Sequence, residues 1–399
     1  MIDSGVILTL NGGSSSIKFA LFEARSPLVR IASGAVDGIG SATPKLTVAG
    51  QPAMAAAAVP DHHSAGELVL AEVGRQVVGR PLLAIGHRIV HGGPDFVRPQ
   101  LIGSDTLAAL RRLGPLDPEH LPVELGLVTA ALRRFPGIPQ VACFDTAFHH
   151  AMPRVAKLLA IPLRYAAQGV IRYGFHGLSY AYLLGEVARL DGAATARGRI
   201  VMAHLGNGAS LAAVSNGEPI DTSMGFTPAS GVPMGTRCGD IDPGVPAYLA
   251  RTEAMGVAAF DHMATFESGL LGLSETSADM RELLDREVID TRAADAVALF
   301  CYAIKQRIGA FAAVLGGIDM LVFTGGIGAN APAIRARICD GLQFLGIAVD
   351  AGRNVAGAAV VSPDVATVVV RVMPTDEEIM IARSAQDMIA SDTLSLIAP

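Results

Sequence analysis

The chain has 399 residues, about half of them hydrophobic and 17% charged, with a formal net charge of −6. That length calls for two or more domains, each with its own core, and the acidic balance excludes the basic face that non-specific nucleic-acid binding needs. The apolar stretch 296–318 is interrupted by Lys305-Gln306-Arg307, so it reads as an amphipathic or core helix and no membrane span is expected.

Taken in order, the chain starts Met1-Ile-Asp-Ser-Gly-Val-Ile-Leu, without a basic region or cleavage pattern, so no secretory signal is expected. Val6-Ile-Leu-Thr-Leu predicts a strand, Asn11-Gly-Gly-Ser-Ser-Ser a turn, and Ile17-Lys-Phe-Ala-Leu-Phe a second strand. Residues 50–60 are Ala-rich and are expected at a surface excursion. Gly86-His-Arg-Ile-Val-His-Gly-Gly sets Arg88 between two histidines, and the run from Gln140 predicts a strand ending in Asp145. In Arg172-Tyr-Gly-Phe-His-Gly, His176 is flanked by Phe175 and two glycines.

Near position 200 the opening device returns: Ile200–Leu205, then Gly206-Asn-Gly-Ala-Ser, then Leu211-Ala-Ala-Val. The two hairpins lie about half a chain apart, which implies a duplicated domain with one hairpin opening each half. The segment 225–243 is too rich in Gly and Pro for a regular helix or central strand. It carries Arg237, with Asp240 and Asp242 close behind, as a cation on a rigid loop suited to an anionic substrate. Leu321-Val-Phe-Thr-Gly-Gly-Ile-Gly-Ala-Asn-Ala-Pro runs from strand into helix, with Pro332 in a first helical turn. Pro374-Thr-Asp-Glu-Glu puts three acids at a helix start. The cysteines at 143, 238, 301 and 339 lack metal-ligand spacing and are expected as reduced thiols in a cytoplasmic protein.

Each signal has a plain reading. Hairpins use Gly for steric reasons, a strand-end Arg pairs with a surface acid, and acids complement the dipole at a helix N-terminus. A histidine flanked by glycines can be purely structural. Three Gly-rich turns that each leave a strand argue for more, because such turns expose several N–H donors to phosphate oxygens. Neither G-x-x-x-x-G-K-[ST] nor G-x-G-x-x-G is present, so a nucleotide clamped between two hairpins fits better than a P-loop or a Rossmann site.

Together, Leu10-Asn-Gly-Gly-Ser-Ser-Ser-Ile-Lys-Phe, Gly86-His-Arg-Ile-Val-His-Gly-Gly, Phe144-Asp-Thr-Ala-Phe-His, Arg172-Tyr-Gly-Phe-His-Gly, Asp221-Thr-Ser-Met-Gly-Phe-Thr-Pro, Met234-Gly-Thr-Arg-Cys-Gly-Asp-Ile-Asp-Pro, Phe323-Thr-Gly-Gly-Ile-Gly and Pro374-Thr-Asp-Glu-Glu resemble the acetate kinase family, in collinear order from residue 7 to about 385. The resemblance implies an α/β fold of two duplicated ribonuclease-H-like domains, as in actin-like ATPases and sugar kinases, with a nucleotide cleft between them. The expected boundaries are 1–146 plus 382–399 for the first domain and 147–381 for the second.

It also implies a cytoplasmic homodimer that moves phosphoryl between ATP/ADP and acetate/acetyl phosphate with Mg²⁺ (or Mn²⁺), with no nucleic-acid or membrane partner. By position, Asn11 and Glu377 would form the metal site. Lys18, Ser14, Ser16, His204, Leu205, Gly206, Asn207, Gly208, Asp279, Met280, Arg281, Gly326, Ile327, Gly328, Ala329 and Asn330 would bind the nucleotide. Arg88, His120, Val90, Phe175 and Pro228 would meet the carboxylate and its acyl chain, and Asp145, His176 and Arg237 would be catalytic.

An acceptor carboxylate is ionised at neutral pH and needs no base, so Asp145 is read as positioning Arg237 or the substrate. The expected course is direct in-line transfer, against a rival phosphorylated Glu377. Two positions depart from the family pattern: Glu119 replaces an apolar residue beside the acyl pocket, and Ala329 stands where the nucleotide turn carries Glu. Propionate is the alternative acceptor. A sugar kinase, or an actin- or Hsp70-like ATP-binding protein, are remoter readings, disfavoured by the paired arginines and by the Arg237 loop.

Overall fold

The computed structural model describes residues 5–13, 15–56 and 58–395. The chain divides into two compact units, one running to Ala147 and resuming at Asp376, the other spanning Phe148–Thr375.

In the first unit, β1 (Val6–Gly12) is buried along its whole length, the polar Thr9 and Asn11 included, and pairs antiparallel with β2 (Ser16–Glu23). β3 (Val29–Asp37), β4 (Lys45–Val48) and β5 (Met54–Ala55) continue the meander. On the other side of β1 lie β6 (Leu82–Ile89), parallel to β1, and β8 (Gln140–Phe144), parallel to β6, with β7 (Gln100–Leu101) antiparallel at the edge. The sheet order is β5-β4-β3-β2-β1-β6-β8-β7.

The helices His62–Gln76 and Leu121–Arg134 bury Val69, Leu70 and Ala131 against Leu8, Leu10, Phe19 and Leu21. The helix Glu377–Ser395 packs on β6, where Gly86 makes room: a Cβ there would stand 2.4 Å from Ile381 Cγ2. The chain returns to this unit at Asp376, ahead of the 382 expected from the sequence. The cause is local: Asp376 pairs with Arg30 of β3 at 2.5 Å, and Glu377 accepts a hydrogen bond from Asn11 of β1 at 3.0 Å.

In the second unit, β9 (Ile200–Leu205), β10 (Ala209–Ser215) and β11 (Glu218–Thr222) form the meander. β12 (Met320–Thr324) and β13 (Val369–Val372) add in parallel, giving the order β11-β10-β9-β12-β13. The sequence β3-β2-β1-β6-β8 in the first unit is the same arrangement, antiparallel meander then two parallel strands. The duplication expected from two hairpins thus extends to five strands.

The helix Gly177–Asp191 packs Tyr180, Leu183 and Val187 on this sheet. The helix Thr291–Leu315 is the one among the described residues long and apolar enough to cross a bilayer. Its buried positions, Ala293, Ala296, Val297, Phe300, Ile304, Ile308 and Phe311, recur every three to four residues and mark it as an amphipathic helix set against this unit's core. The four cysteines are free thiols.

Candidate active site

In the first unit the site grows from the ends of two parallel strands. Arg88 and Cys143 are register partners of β6 and β8, and Asp145 follows directly after β8. The Arg88 Nε and Nη2 both donate to Asp145 Oδ2, at 3.0 and 2.5 Å. Arg88 Nη1 reaches Asn11 Oδ1 and Gly12 O at 3.4 Å, and Glu377 Oε2 lies 3.9 Å from Nε. Burial weakens the charge of Arg88, but the Asp145 and Glu377 carboxylates outweigh it and hold the guanidinium firmly protonated. Asp145 is fully buried and commits one oxygen to both arginine donors, the arrangement of a group that orients a cation.

Asn11 Nδ2 donates to Glu377 Oε2 at 3.0 Å and to Glu378 Oε1 at 3.4 Å, so an amide and two carboxylates converge at the end of β1. Lys18 stands opposite Asn11 in the β1/β2 ladder and is exposed, and Ser16 opens β2 opposite Asp37. Ser14 lies outside the described residues. His120 donates its backbone N–H to Asp117 Oδ1 (3.2 Å) and sets its Nδ1 2.9 Å from the same oxygen. Burial raises the Asp117 carboxyl, yet the bonds from His120 outweigh that and hold it below its ordinary value. Val90 is buried, and Glu119, on the turn before His120, is half-buried.

In the second unit, His176 caps the helix Gly177–Asp191 in a left-handed conformation, φ 59°. A non-glycine residue there is held against its backbone preference, a feature concentrated at functional sites. Its Nδ1 lies 2.9 Å from Ser210 Oγ, which lies 2.5 Å from Tyr180 Oη. Burial pushes the Tyr180 phenol above its ordinary range. With Tyr180 donating, Ser210 donates in turn to His176 Nδ1, and Nε2–H faces Gly208, where an added Cβ would sit 3.4 Å from Nε2 and 3.7 Å from Arg237 Nη1. His204 stacks on His176, centroids 4.2 Å apart and planes 11° from parallel, with its Nδ1 2.9 Å from Ser179 Oγ.

The Arg237 loop has no helix or strand through 225–243. Its acids serve the loop: Asp240 accepts from Gly231 N (2.8 Å) and Arg307 (2.7 Å), and Asp242 accepts from Gly244 N (2.6 Å). Arg237 Nη1 reaches Pro228 O at 3.4 Å, and the buried Phe175 accepts at its carbonyl from His149 Nε2 at 2.9 Å.

Gly206, Asn207, Asp279, Met280, Arg281, Gly326, Ile327 and Asn330 line one cavity of about 540 Å³, large enough for a nucleoside base and sugar. Leu205 ends β9 beside it. Asp279 caps the helix Met280–Arg286 and pairs with Arg281 at 2.5 Å. Gly328 and Ala329 sit in the short helix Gly325–Asn330 that follows β12.

Two buried charges escape a reading by motif. Glu124, 3% exposed, accepts from Val90 N at 3.0 and 3.2 Å. Arg335, 1% exposed, donates to Gly328 O, Ala329 O and both oxygens of Asn354 at 2.8–3.0 Å, fixing the turn from beneath. A signal existed for each. Glu124 falls in the apolar stripe Leu121, Leu125, Val128, and Arg335 sits between Ile334 and Ile338 on the buried face of Pro332–Cys339.

Residues 6–383 match the acetokinase family. The chain belongs to that family. It is 42% identical over 390 residues to an acetate kinase of Rhodopseudomonas palustris, covering 95% of this chain and 97% of that one. An acetate kinase of Streptomyces coelicolor is 42% identical over 396 residues, at 96% and 97% coverage. Among solved structures, Porphyromonas gingivalis acetate kinase superposes with a TM-score of 0.86 at 37% identity, covering 97% of this chain and all of the other. A propionate kinase from Francisella tularensis gives 0.89 at 34% identity, covering 96% and 99%. As a member of the acetokinase family the chain is a kinase with the two-sheet α/β architecture of its relatives.

Proposed function

We propose that this acetokinase-family enzyme transfers the γ-phosphate of ATP to acetate, giving acetyl phosphate and ADP, and runs the reaction in reverse. The observation that carries the reading is the half-buried Arg88 guanidinium, oriented by Asp145 and kept cationic by its carboxylate neighbours. A neutral acceptor has no use for such a cation; a carboxylate does.

The second unit holds the nucleotide in the cavity of Asn207, Asp279, Arg281, Gly326 and Asn330. His176 Nε2–H and Arg237, both beside Gly208, stabilise charge on the equatorial oxygens in transfer. The first unit holds the acceptor at Arg88, with Val90 toward the acyl chain. Because the carboxylate arrives ionised, no base acts and Asp145 positions Arg88.

The hard carboxylate oxygens of Glu377 and Glu378, gathered by the Asn11 amide, fit Mg²⁺, which binds through one or two carboxylates together with waters and substrate phosphates. Asn11 and Glu377 would hold it, with Mn²⁺ as a substitute, and it would neutralise phosphate charge. A cytoplasmic homodimer completes the reading.

The test is hydroxamate formation from ATP, Mg²⁺ and acetate, propionate or butyrate in the presence of hydroxylamine. Saturable acetate turnover is expected. A preference for propionate would move the acceptor by one methylene, a change worth about 1–3 kcal/mol in an apolar pocket. No hydroxamate from any acid would overturn the reading. Inversion at a chiral γ-phosphorus is expected for direct transfer; retention would favour a phosphorylated Glu377.

A further inference from the structure

Glu124 is a buried acid of the first unit's site for which the reaction above has no task. It projects from the helix Leu121–Arg134 toward the end of β6, where both its oxygens accept from the Val90 amide. Its Cγ lies 4.0 Å from a Cβ built at Gly12, on the strand end that also touches Arg88 through a carbonyl. Arg88 and Val90, two residues apart, are the cation and the apolar wall assigned to the acceptor. The carboxyl that fastens Val90 N therefore fixes the point where that wall meets the cation.

We propose that Glu124 is a positioning residue for the acceptor carboxylate: it pins the Arg88–Val90 corner through the Val90 amide, and it does so best as a neutral carboxyl group. The second clause follows from the charges around it. Asp117 and Asp145 act on Glu124 and Glu377 on Arg88, against the half-buried Arg88 as the cation and His120 at Asp117. His91, also buried, accepts from Gly93 N at its Nδ1. A third carboxylate beside that guanidinium, after Asp145 and Glu377, would compete with the incoming acid for it. Burial is the main cause that raises the Glu124 carboxyl to about 8, with Asp117 and Asp145 adding to it and Arg88 and the Val90 bond opposing. Glu124 is then neutral at pH 6.5 and charged at pH 9.

The inference rests on the acceptor assignment above, so the test carries a readout that does not. Initial rates of hydroxamate formation are measured at pH 6.5 and 9 for the wild type, Glu124→Gln and Glu124→Leu. Glutamine keeps an acceptor for Val90 N without a charge; leucine keeps the volume alone. The wild type is expected to raise its acetate KM several-fold between the two pH values. E124Q should stay within about twofold of the wild-type pH 6.5 value at both, and E124L should raise acetate KM at least tenfold at both. The ATP KM should stay level in all three.

An E124L enzyme with wild-type acetate KM, or equal rises in the two KM values, would overturn positioning. An E124Q enzyme that kept the wild-type pH dependence would overturn the neutral-carboxyl clause. Hydrogen exchange of the Val90 amide supplies the second readout: protection is expected to persist in E124Q and fall in E124L. Unchanged protection in E124L removes the pin, whereas absent hydroxamate in the wild type with lost protection in E124L strikes the acceptor reading and leaves the pin standing.

Discussion

In the first unit the candidate groups are charges set against charges: Arg88 on Asp145, Glu377 and Asn11, with Glu124 buried nearby. In the second they are chiefly turns and neutral relays: Gly206–Gly208 beside His176, His176 on Ser210 and Tyr180, and Asp279 and Asn330 around an open cavity. On the proposed reading, the same strand order supports two chemistries. A carboxylate acceptor calls for a fixed cation whose charge is guaranteed, and ion pairing supplies that. A nucleotide calls for close approach of backbone and many donors, which glycine turns supply. Each unit also buries an ionisable side chain beneath its site, Glu124 in one and Arg335 in the other.

The steepest way to break this comparison is Arg88→Ala. Loss of the acceptor cation is expected to lower kcat/KM for acetate by on the order of 10³-fold, with ATP KM nearly unchanged. Arg237→Ala should cost a similar factor in kcat. Initial-rate grids over both substrates read the split, and an equal rise of ATP KM in Arg88→Ala would dissolve the division of labour.

Arg335→Met comes next. It removes bonds to the Gly328 and Ala329 carbonyls and leaves buried acceptors unmet, a loss of about 1.5–3 kcal/mol for a charged donor. It should raise ATP KM roughly tenfold on that scale and leave acetate KM alone. A rise in acetate KM instead would make Arg335 a general packing residue.

How much of this was open to the sequence depends on the kind of residue. Both hairpins, the strand before Asp145, the strand-to-helix turn at Gly325 and the irregular Arg237 loop follow from local Gly, Pro and apolar patterning, and all are present. The pairing of Arg88 with Asp145 joins strands 57 residues apart and could not be read from spacing. Glu124 and Arg335 announced themselves only as charges in apolar stripes, a pattern that says buried but not beside what. Asp240, close behind Arg237 in sequence, clamps the loop through Gly231 and Arg307, a partnership that joins positions too far apart to be read from spacing.

A smaller effect sharpens the contrast between the buried acid and its surroundings. The Glu124 carboxyl is raised from an ordinary 4.5 to about 8 in the folded state, so the folded chain holds a proton that the unfolded chain has released between those values. Its contribution to stability therefore falls as pH rises from 4.5 to 8. Urea midpoints of Glu124→Gln relative to wild type should climb across that window, and a flat difference would contradict a buried, neutral Glu124.

The smallest effect treats the two units alike. His87 on Gln140 and His149 on Phe175 O are buried, and burial lowers each imidazole from 6.5 to about 4. The unfolded chain takes up their protons first, so both contribute a loss of stability as pH falls from 6.5 to 4. His87→Gln and His149→Gln should each flatten that acid slope in urea titrations; an unaltered slope in either would show that histidine charged while folded.

The most direct test of the central claim, that the carboxylate itself attacks phosphorus, uses acetate labelled with ¹⁸O in its carboxylate. After turnover with ATP and Mg²⁺, hydroxylamine cleaves the acyl–oxygen bond and frees the phosphate. The account predicts that this phosphate carries a single acetate-derived ¹⁸O, because the attacking oxygen becomes the bridge. Unlabelled phosphate would contradict it.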